Sequence, residues 1–99
     1  MTYLEAWEYN GLVLSDPDES DIDIRYRLMD RSNHAVATLV LDLDMNGIPA
    51  ACRFYGNDRL ARSIYEYLYA REQPQNVCPY CYAEAWNHAL NACDACDCQ

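Results

Sequence analysis

The clearest pattern in the chain is an alternation of apolar and polar residues through its first half. Residues 21–28 and 36–44 both alternate with a period of two, as does the stretch 48–55, which predicts three half-buried strands. Asn46-Gly47 lies between the second and third predicted strands and indicates a hairpin, because both residues tolerate the positive φ of a tight turn. The residues expected to face inward are Ile22, Ile24, Tyr26 and Leu28, then Leu39, Leu41 and Leu43, then Ile48, Ala50, Cys52 and Phe54.

The first fifteen residues carry two competing patterns. One pattern predicts another hairpin, which is our prediction, because alternate residues before Asn10-Gly11 form two sets: Tyr3, Glu5, Trp7 and Tyr9 on one side and Leu4, Ala6 and Glu8 on the other. Thr2 followed three residues later by Glu5 forms a capping box, however, and Gly11 suits the end of a helix. In either case residues 15–20 form an exposed acidic loop.

Helical periodicity begins after the strands. Asn57 is a suitable N-cap, and apolar residues then recur at intervals of three and four, which predicts an amphipathic helix over residues 58–72 that covers one face of the sheet. A second helix is predicted over residues 82–91, where Ala85, Trp86, Ala89 and Leu90 are available to pack.

These elements predict an α+β fold. An antiparallel β-meander sheet is packed by one amphipathic helix and followed by a C-terminal, cysteine-rich, zinc-binding helical module. The expected organisation is an acidic sheet-and-helix region over residues 1–73, with a tail over residues 74–99 that packs on it to make one compact domain.

The charge balance is strongly acidic. The chain of 99 residues has 16 Asp and Glu against 7 basic residues, all of them arginine, for a net charge of −9. A field of this sign repels nucleic acids and anionic membranes and attracts basic protein surfaces. The N-terminal residues resemble no secretory signal and no apolar run is long enough to span a membrane, so we expect a cytoplasmic protein, in the host cytoplasm if it is phage-encoded.

Five of the six cysteines lie in the last 22 residues. Cys78 and Cys81 form one Cys-x-x-Cys pair and Cys93 and Cys96 form another after an eleven-residue spacer, which predicts a four-thiolate zinc site. Cys98 and His88 are alternative ligands. A reducing compartment favours a metal over disulfides, although an iron–sulfur cluster would use the same thiolates.

The segment Cys78-Pro79-Tyr80-Cys81 resembles the active-site motif of glutaredoxins. The resemblance implies a thiol redox protein that uses Cys78 and Cys81. In that family most of the domain follows the motif, whereas only 18 residues follow Cys81 here, so metal binding is the preferred interpretation.

No catalytic constellation emerges, and we expect no enzymatic activity. The acidic residues offer a binding surface instead, because carboxylates two residues apart on one strand face are spaced at roughly 6.6 Å and can imitate a phosphate backbone. The residues expected to bind a partner are Asp16, Asp18, Glu19, Asp21, Asp23, Asp42 and Asp44.

In size, charge and layout the chain resembles phage-encoded anti-CRISPR proteins and other nucleic-acid mimics. That resemblance implies an inhibitor whose acidic sheet blocks the basic nucleic-acid-binding surface of a larger protein, such as a nucleic-acid-guided CRISPR effector. The alternative is a zinc-module adaptor or transcriptional regulator that docks on a host protein through its cysteine-rich tail. Neither hypothesis fixes the oligomeric state.

Overall fold

The computed structural model describes residues 1–96 and has an α+β architecture with two helices and an antiparallel sheet. Neither helix in this range has the length and apolar character needed to cross a membrane. The predicted alternate ligand Cys98 lies outside the described residues.

The first element is a helix, α1 (Tyr3–Tyr9), so the predicted N-terminal hairpin is wrong. The Thr2 hydroxyl accepts a hydrogen bond from the Glu5 N–H at 3.2 Å, which caps the helix as the competing pattern indicated. Gly11 follows the helix with φ +71°, the left-handed conformation that terminates helices. Burial of Tyr3, Ala6 and Trp7, which lie on one side of a helix, outweighs the alternating pattern of residues 3–9.

The predicted meander is present. Strands β3 (Asp23–Met29), β4 (Ala35–Leu43) and β5 (Pro49–Gly56) pair in that order and are antiparallel. Two short strands, β1 (Val13–Leu14) and β2 (Asp18–Glu19), both pair with β3 along its other edge. The sheet therefore has β5 at one edge and the pair β1 and β2 at the other.

Side chains alternate between the buried and exposed sides of the sheet as predicted only in the middle of each strand. Ile22 is 72% exposed because β3 begins one residue later, and Ile48 is 58% exposed because it lies before β5. Ala50 is also exposed, since the β4–β5 register shifts beside it. Val40, predicted to face solvent, is 2% exposed on the sheet face that does not contact a helix.

Helix α2 (Asp58–Tyr69) covers the other face as predicted, although it ends three residues before the expected boundary. The Asn57 side chain accepts a hydrogen bond from the Leu60 N–H at 3.2 Å, confirming it as the N-cap. Helices α1 and α2 enclose the core against the sheet. The buried core residues are Tyr3, Ala6, Trp7, Leu28, Ala37, Leu39, Leu41, Leu60, Ala61, Ile64, Val77 and Tyr82.

The predicted helix over residues 82–91 is wrong. This segment forms a small hairpin in which β6 (Trp86–Asn87) pairs with β7 (Ala92–Cys93). Tyr82 and Asn91 take positive φ values of 63° and 51°, which no α-helix accommodates. The hairpin returns the chain so that the second cysteine pair lies against the first.

Candidate metal centre

The four cysteines of the two Cys-x-x-Cys pairs converge at one point. Their Sγ atoms all lie within 4.8 Å of one another, because the tail hairpin and the turn that contains Cys78 and Cys81 bring the two pairs together. The Sγ atoms of Cys78 and Cys96 are 3.9 Å apart, and those of Cys81 and Cys93 are 3.6 Å apart. A tetrahedron with metal–sulfur bonds of about 2.3 Å has edges of about 3.8 Å, which these two separations approach, so the four cysteines can hold a metal ion.

Each pair uses the same local geometry. The Tyr80 N–H donates to the Cys78 Sγ at 3.4 Å, and the Ala95 N–H donates to the Cys93 Sγ at 3.3 Å, in both cases from two residues further along the chain. Backbone N–H donors of this kind stabilise negative sulfur. They replace the helix dipole that a helix after Cys81 would have supplied.

The cysteine environments suit a buried ligand set better than an exposed nucleophile. Burial raises the pKa of the Cys81 thiol to about 11, so little of it is thiolate at neutral pH unless a cation is present. Burial has the same tendency at Cys93, but N–H donors from Ala95 and Cys96 outweigh it and lower the pKa of that thiol. Cys78 is fully buried. A redox role for this pair would require an accessible thiol of lowered pKa, whereas Cys78 is buried and the pKa of the Cys81 thiol is raised.

The sulfur of Cys96 takes part in a different bond. Cys96 is disulfide-bonded in this structure, so ligation by all four cysteines requires that bond to be reduced. The alternative ligand His88 is exposed, with its Nε2 3.1 Å from the Gln75 carbonyl oxygen, and it is not part of the sulfur cluster. The cluster can therefore hold a metal ion through cysteine alone.

The tail is tied to the rest of the chain at several points. The Val77 N–H donates to the Met1 carbonyl at 2.7 Å, and Val77 itself is fully buried in the core. The Asn10 side-chain amide, at the end of α1, donates to the Pro79 carbonyl at 2.8 Å and to the Tyr82 hydroxyl at 2.9 Å. The sulfur cluster is thus adjacent to the end of α1 and rests on the hydrophobic core.

A buried phenol provides a further tie that the sequence pattern did not reveal. Tyr3 is fully buried, and its hydroxyl hydrogen-bonds with Glu66 on α2 and with Glu84 in the tail, the latter at 3.2 Å. Burial and the two carboxylates raise the pKa of this phenol well above its ordinary value. Three segments that are far apart in sequence, the start of α1, helix α2 and the tail, meet at this hydroxyl. In the sequence, the one signal for this contact is an aromatic residue at the start of a possible helix.

The predicted acidic surface is divided by the structure. Asp23 is buried, 6% exposed, and its carboxylate lies 3.4 Å from Arg25 and 4.0 Å from Arg53. Asp42 accepts two hydrogen bonds of 2.8 Å from Arg53, and this arginine holds the pKa of the Asp42 carboxyl below its usual range. Arginines neutralise these strand aspartates: Arg25 lies on the same strand as Asp23, and Arg53 on β5 reaches both carboxylates.

Asp44 stabilises the β4–β5 turn, because its Oδ1 accepts hydrogen bonds from the N–H groups of Asn46 and Ile48. The other predicted acids lie together on and around β2, at the edge of the sheet. Asp18 is near Arg27, at 3.5 Å, but its side chain is 66% exposed. We call this group the acidic edge, and its residues are Asp16, Asp18, Glu19 and Asp21, all exposed.

No known protein family, curated protein sequence or solved structure matches this chain.

Proposed function

We propose that this chain is a non-enzymatic inhibitor that binds a basic, nucleic-acid-binding surface of a partner protein. The observation that supports the proposal is the acidic edge: four exposed acids on and around β2, beside which Arg27 lies 3.5 Å from Asp18 and Arg25 is the β3 strand partner of Asp18. Such a cluster attracts arginine-rich grooves electrostatically. A nucleic-acid-guided effector, of the kind inhibited by the anti-CRISPR proteins that the chain resembles, is a partner with this chemistry.

The proposed binding surface is smaller than the acidic surface expected from the sequence. Asp23 and Asp42 already pair with arginines, and withdrawing them from those partners would cost the ion pairs that hold the outer sheet face together. The acidic edge involves no such loss, because exposed carboxylates give up only solvent and weak surface contacts. We therefore assign partner binding to the edge and a structural role to the strand aspartates.

We further propose that the metal is zinc and that its role is structural. The four candidate ligands are cysteine sulfurs that lie within 4.8 Å of one another, a set typical of closed zinc sites with no position open for substrate. An iron–sulfur cluster bound by the same thiolates would colour the protein, which distinguishes it from zinc.

The test of the proposed function is a pull-down from the native host with the zinc-loaded protein, followed by a nucleic-acid-binding assay on the captured partner. The variant Asp18→Asn/Glu19→Gln should weaken capture and inhibition by at least about tenfold, as expected for loss of two interfacial charges. The matched control is Glu8→Gln/Glu72→Gln, which removes two exposed charges elsewhere. Equal effects of the two variants would show that only net charge matters and would refute a specific edge.

The tail remains a second candidate for partner binding. Leu90, between β6 and β7, is 71% exposed, so an apolar side chain projects from the hairpin of the metal centre. If the chain is an adaptor that docks through this hairpin, Leu90→Asp should abolish capture and the acidic-edge variant should leave it intact. The opposite outcome supports the inhibitor proposal.

A further inference from the structure

The two edges of the sheet differ in how they are protected. At one edge β1 and β2 contribute two residues each, with Pro17 between them and the acidic edge beside it. Short strands, proline and charge are the usual means of preventing strand pairing between molecules. At the other edge β5 is eight residues long and pairs, within residues 1–96, with β4 alone.

The backbone of β5 is able to pair on its outer side. The Asn57 N–H donates to the Val36 carbonyl, so these two residues form a hydrogen-bonded pair of the β4–β5 ladder. Hydrogen-bonded and non-hydrogen-bonded pairs alternate along an antiparallel ladder, so Tyr55 and Arg53 also direct their backbone groups toward β4. Cys52 and Phe54 consequently direct theirs outward. This assignment agrees with the β3–β4 ladder, in which the Leu43 N–H donates to Ile22 and the alternate residues of β4 remain for β5.

We infer that β5 is the interface of a symmetric homodimer, in which the β5 strands of two copies pair antiparallel and continue the sheet. The inference is independent of the proposed function. The register shift beside Ala50 bends one end of the strand away, which leaves the stretch from Ala51 to Gly56 for pairing. In an antiparallel pair of β5 strands, a residue whose backbone groups point away from β4 must lie opposite another such residue. The twofold axis near the middle of this stretch therefore passes through Arg53 or Phe54.

Charge decides between the two axes. An axis at Arg53 would place two arginines directly opposite each other, which is destabilising. An axis at Phe54 pairs the two Phe54 side chains on the helix-covered face and places Arg53 of each copy opposite Tyr55 of the other, a favourable cation–π partner. Arg53 already lies 5.7 Å from the Tyr55 ring centre within one copy, so the side chains have the required reach.

The distribution of acids also favours this edge. The charges nearest β5 are largely balanced, since Arg53 pairs with Asp42 and Arg62 pairs with Asp58. Pairing through β5 gives a continuous sheet in which the two acidic edges are seven strand spacings, or about 34 Å, apart. That separation exceeds the Debye length of about 8 Å at physiological ionic strength, so repulsion between the two acidic edges opposes this dimer little.

Phe54 is the single phenylalanine of the chain, which makes the test specific. Sedimentation equilibrium should give a monomer–dimer equilibrium, and protein labelled with fluorophenylalanine should give one fluorine resonance that shifts with concentration along the same binding curve. The variant Tyr55→Arg, at a side chain 47% exposed, should raise the dimer dissociation constant about tenfold, because it places arginine opposite Arg53 twice.

The control is Val13→Arg, which adds the same charge at a 69% exposed position on the protected edge and should leave the dissociation constant within about twofold of the wild-type value. A protein that stays monomeric at millimolar concentration would overturn the inference. So would a dimer whose fluorine resonance does not follow the association, or one that Tyr55→Arg and Val13→Arg weaken equally, since either result would locate the interface elsewhere.

Discussion

The Tyr3 hydroxyl supports a quantitative prediction, because it joins α1, α2 and the cysteine-rich tail through hydrogen bonds to Glu66 and Glu84. Tyr3→Phe keeps the buried ring and removes only the donor. Hydrogen bonds to charged groups contribute about 1.5–3 kcal/mol, and the exposed carboxylates can be rehydrated, so we expect a loss of about 2 kcal/mol. For a domain of this size that corresponds to a fall in Tm of roughly 10 °C.

The measurement is urea unfolding followed by tryptophan fluorescence, at fixed excess zinc so that metal loss does not distort the transition. Tyr9→Phe is the matched control, because it deletes the same atom from a 57% exposed phenol on the same helix and should cost less than about 0.5 kcal/mol. Equal losses for the two variants, or no loss for Tyr3→Phe, would refute the reasoning.

The same phenol sets the response to alkaline pH. Its folded-state pKa is raised above the ordinary tyrosine value of about 10, so the unfolded chain releases the proton first. The stability that the neutral phenol contributes is therefore complete below pH of about 10 and is lost as the pH rises above it. Wild-type protein should lose stability in that range more steeply than Tyr3→Phe, and parallel profiles would contradict the assignment.

Three further outcomes are expected. Ser63→Ala should cost about 1–3 kcal/mol in urea unfolding, because the Trp7 Nε1–H that donates to the Ser63 hydroxyl at 2.9 Å would be left buried without an acceptor. Gly56→Ala should destabilise more than Gly47→Ala although both glycines have φ near +77°, since a Cβ at Gly56 would approach the Val36 carbonyl to 2.5 Å and one at Gly47 meets nothing within 4 Å. Sodium chloride should raise the urea midpoint, because it screens self-repulsion in a chain of net charge −9, and a midpoint that falls with salt would contradict this.

The parts of the fold that the sequence predicted correctly depend on short-range signals. The β4–β5 turn at Asn46-Gly47 and the Asn57 cap of α2 follow from local backbone preference, and two Cys-x-x-Cys pairs predict a shared site whatever joins them. At the N-terminus the residues Tyr3 and Trp7 fit both an alternating and a helical pattern. Only packing against α2 decides in favour of the helix, and the sequence does not display that packing.

The errors have long-range causes. The tail hairpin forms where apolar spacing suggested a helix, because convergence of Cys93 on Cys81 requires a reversal that one helix of that length would not make. Asp23 is buried because Arg53, thirty residues later, reaches it across β4. Local alternation placed Asp23 on the outer face correctly, but only the strand order shows that this face carries arginines that neutralise it.

The zinc site that we propose, in which four cysteines hold one ion and complete the fold, is open to a direct measurement. Native mass spectrometry of reduced protein, purified without chelator, should show one zinc per chain, and Cys78→Ser should lose both the ion and the ordered tail, since structural zinc contributes on the order of 10 kcal/mol to folding. Reduced, metal-free protein whose tail resonances are as well dispersed as those of a zinc-supplemented sample would contradict the claim.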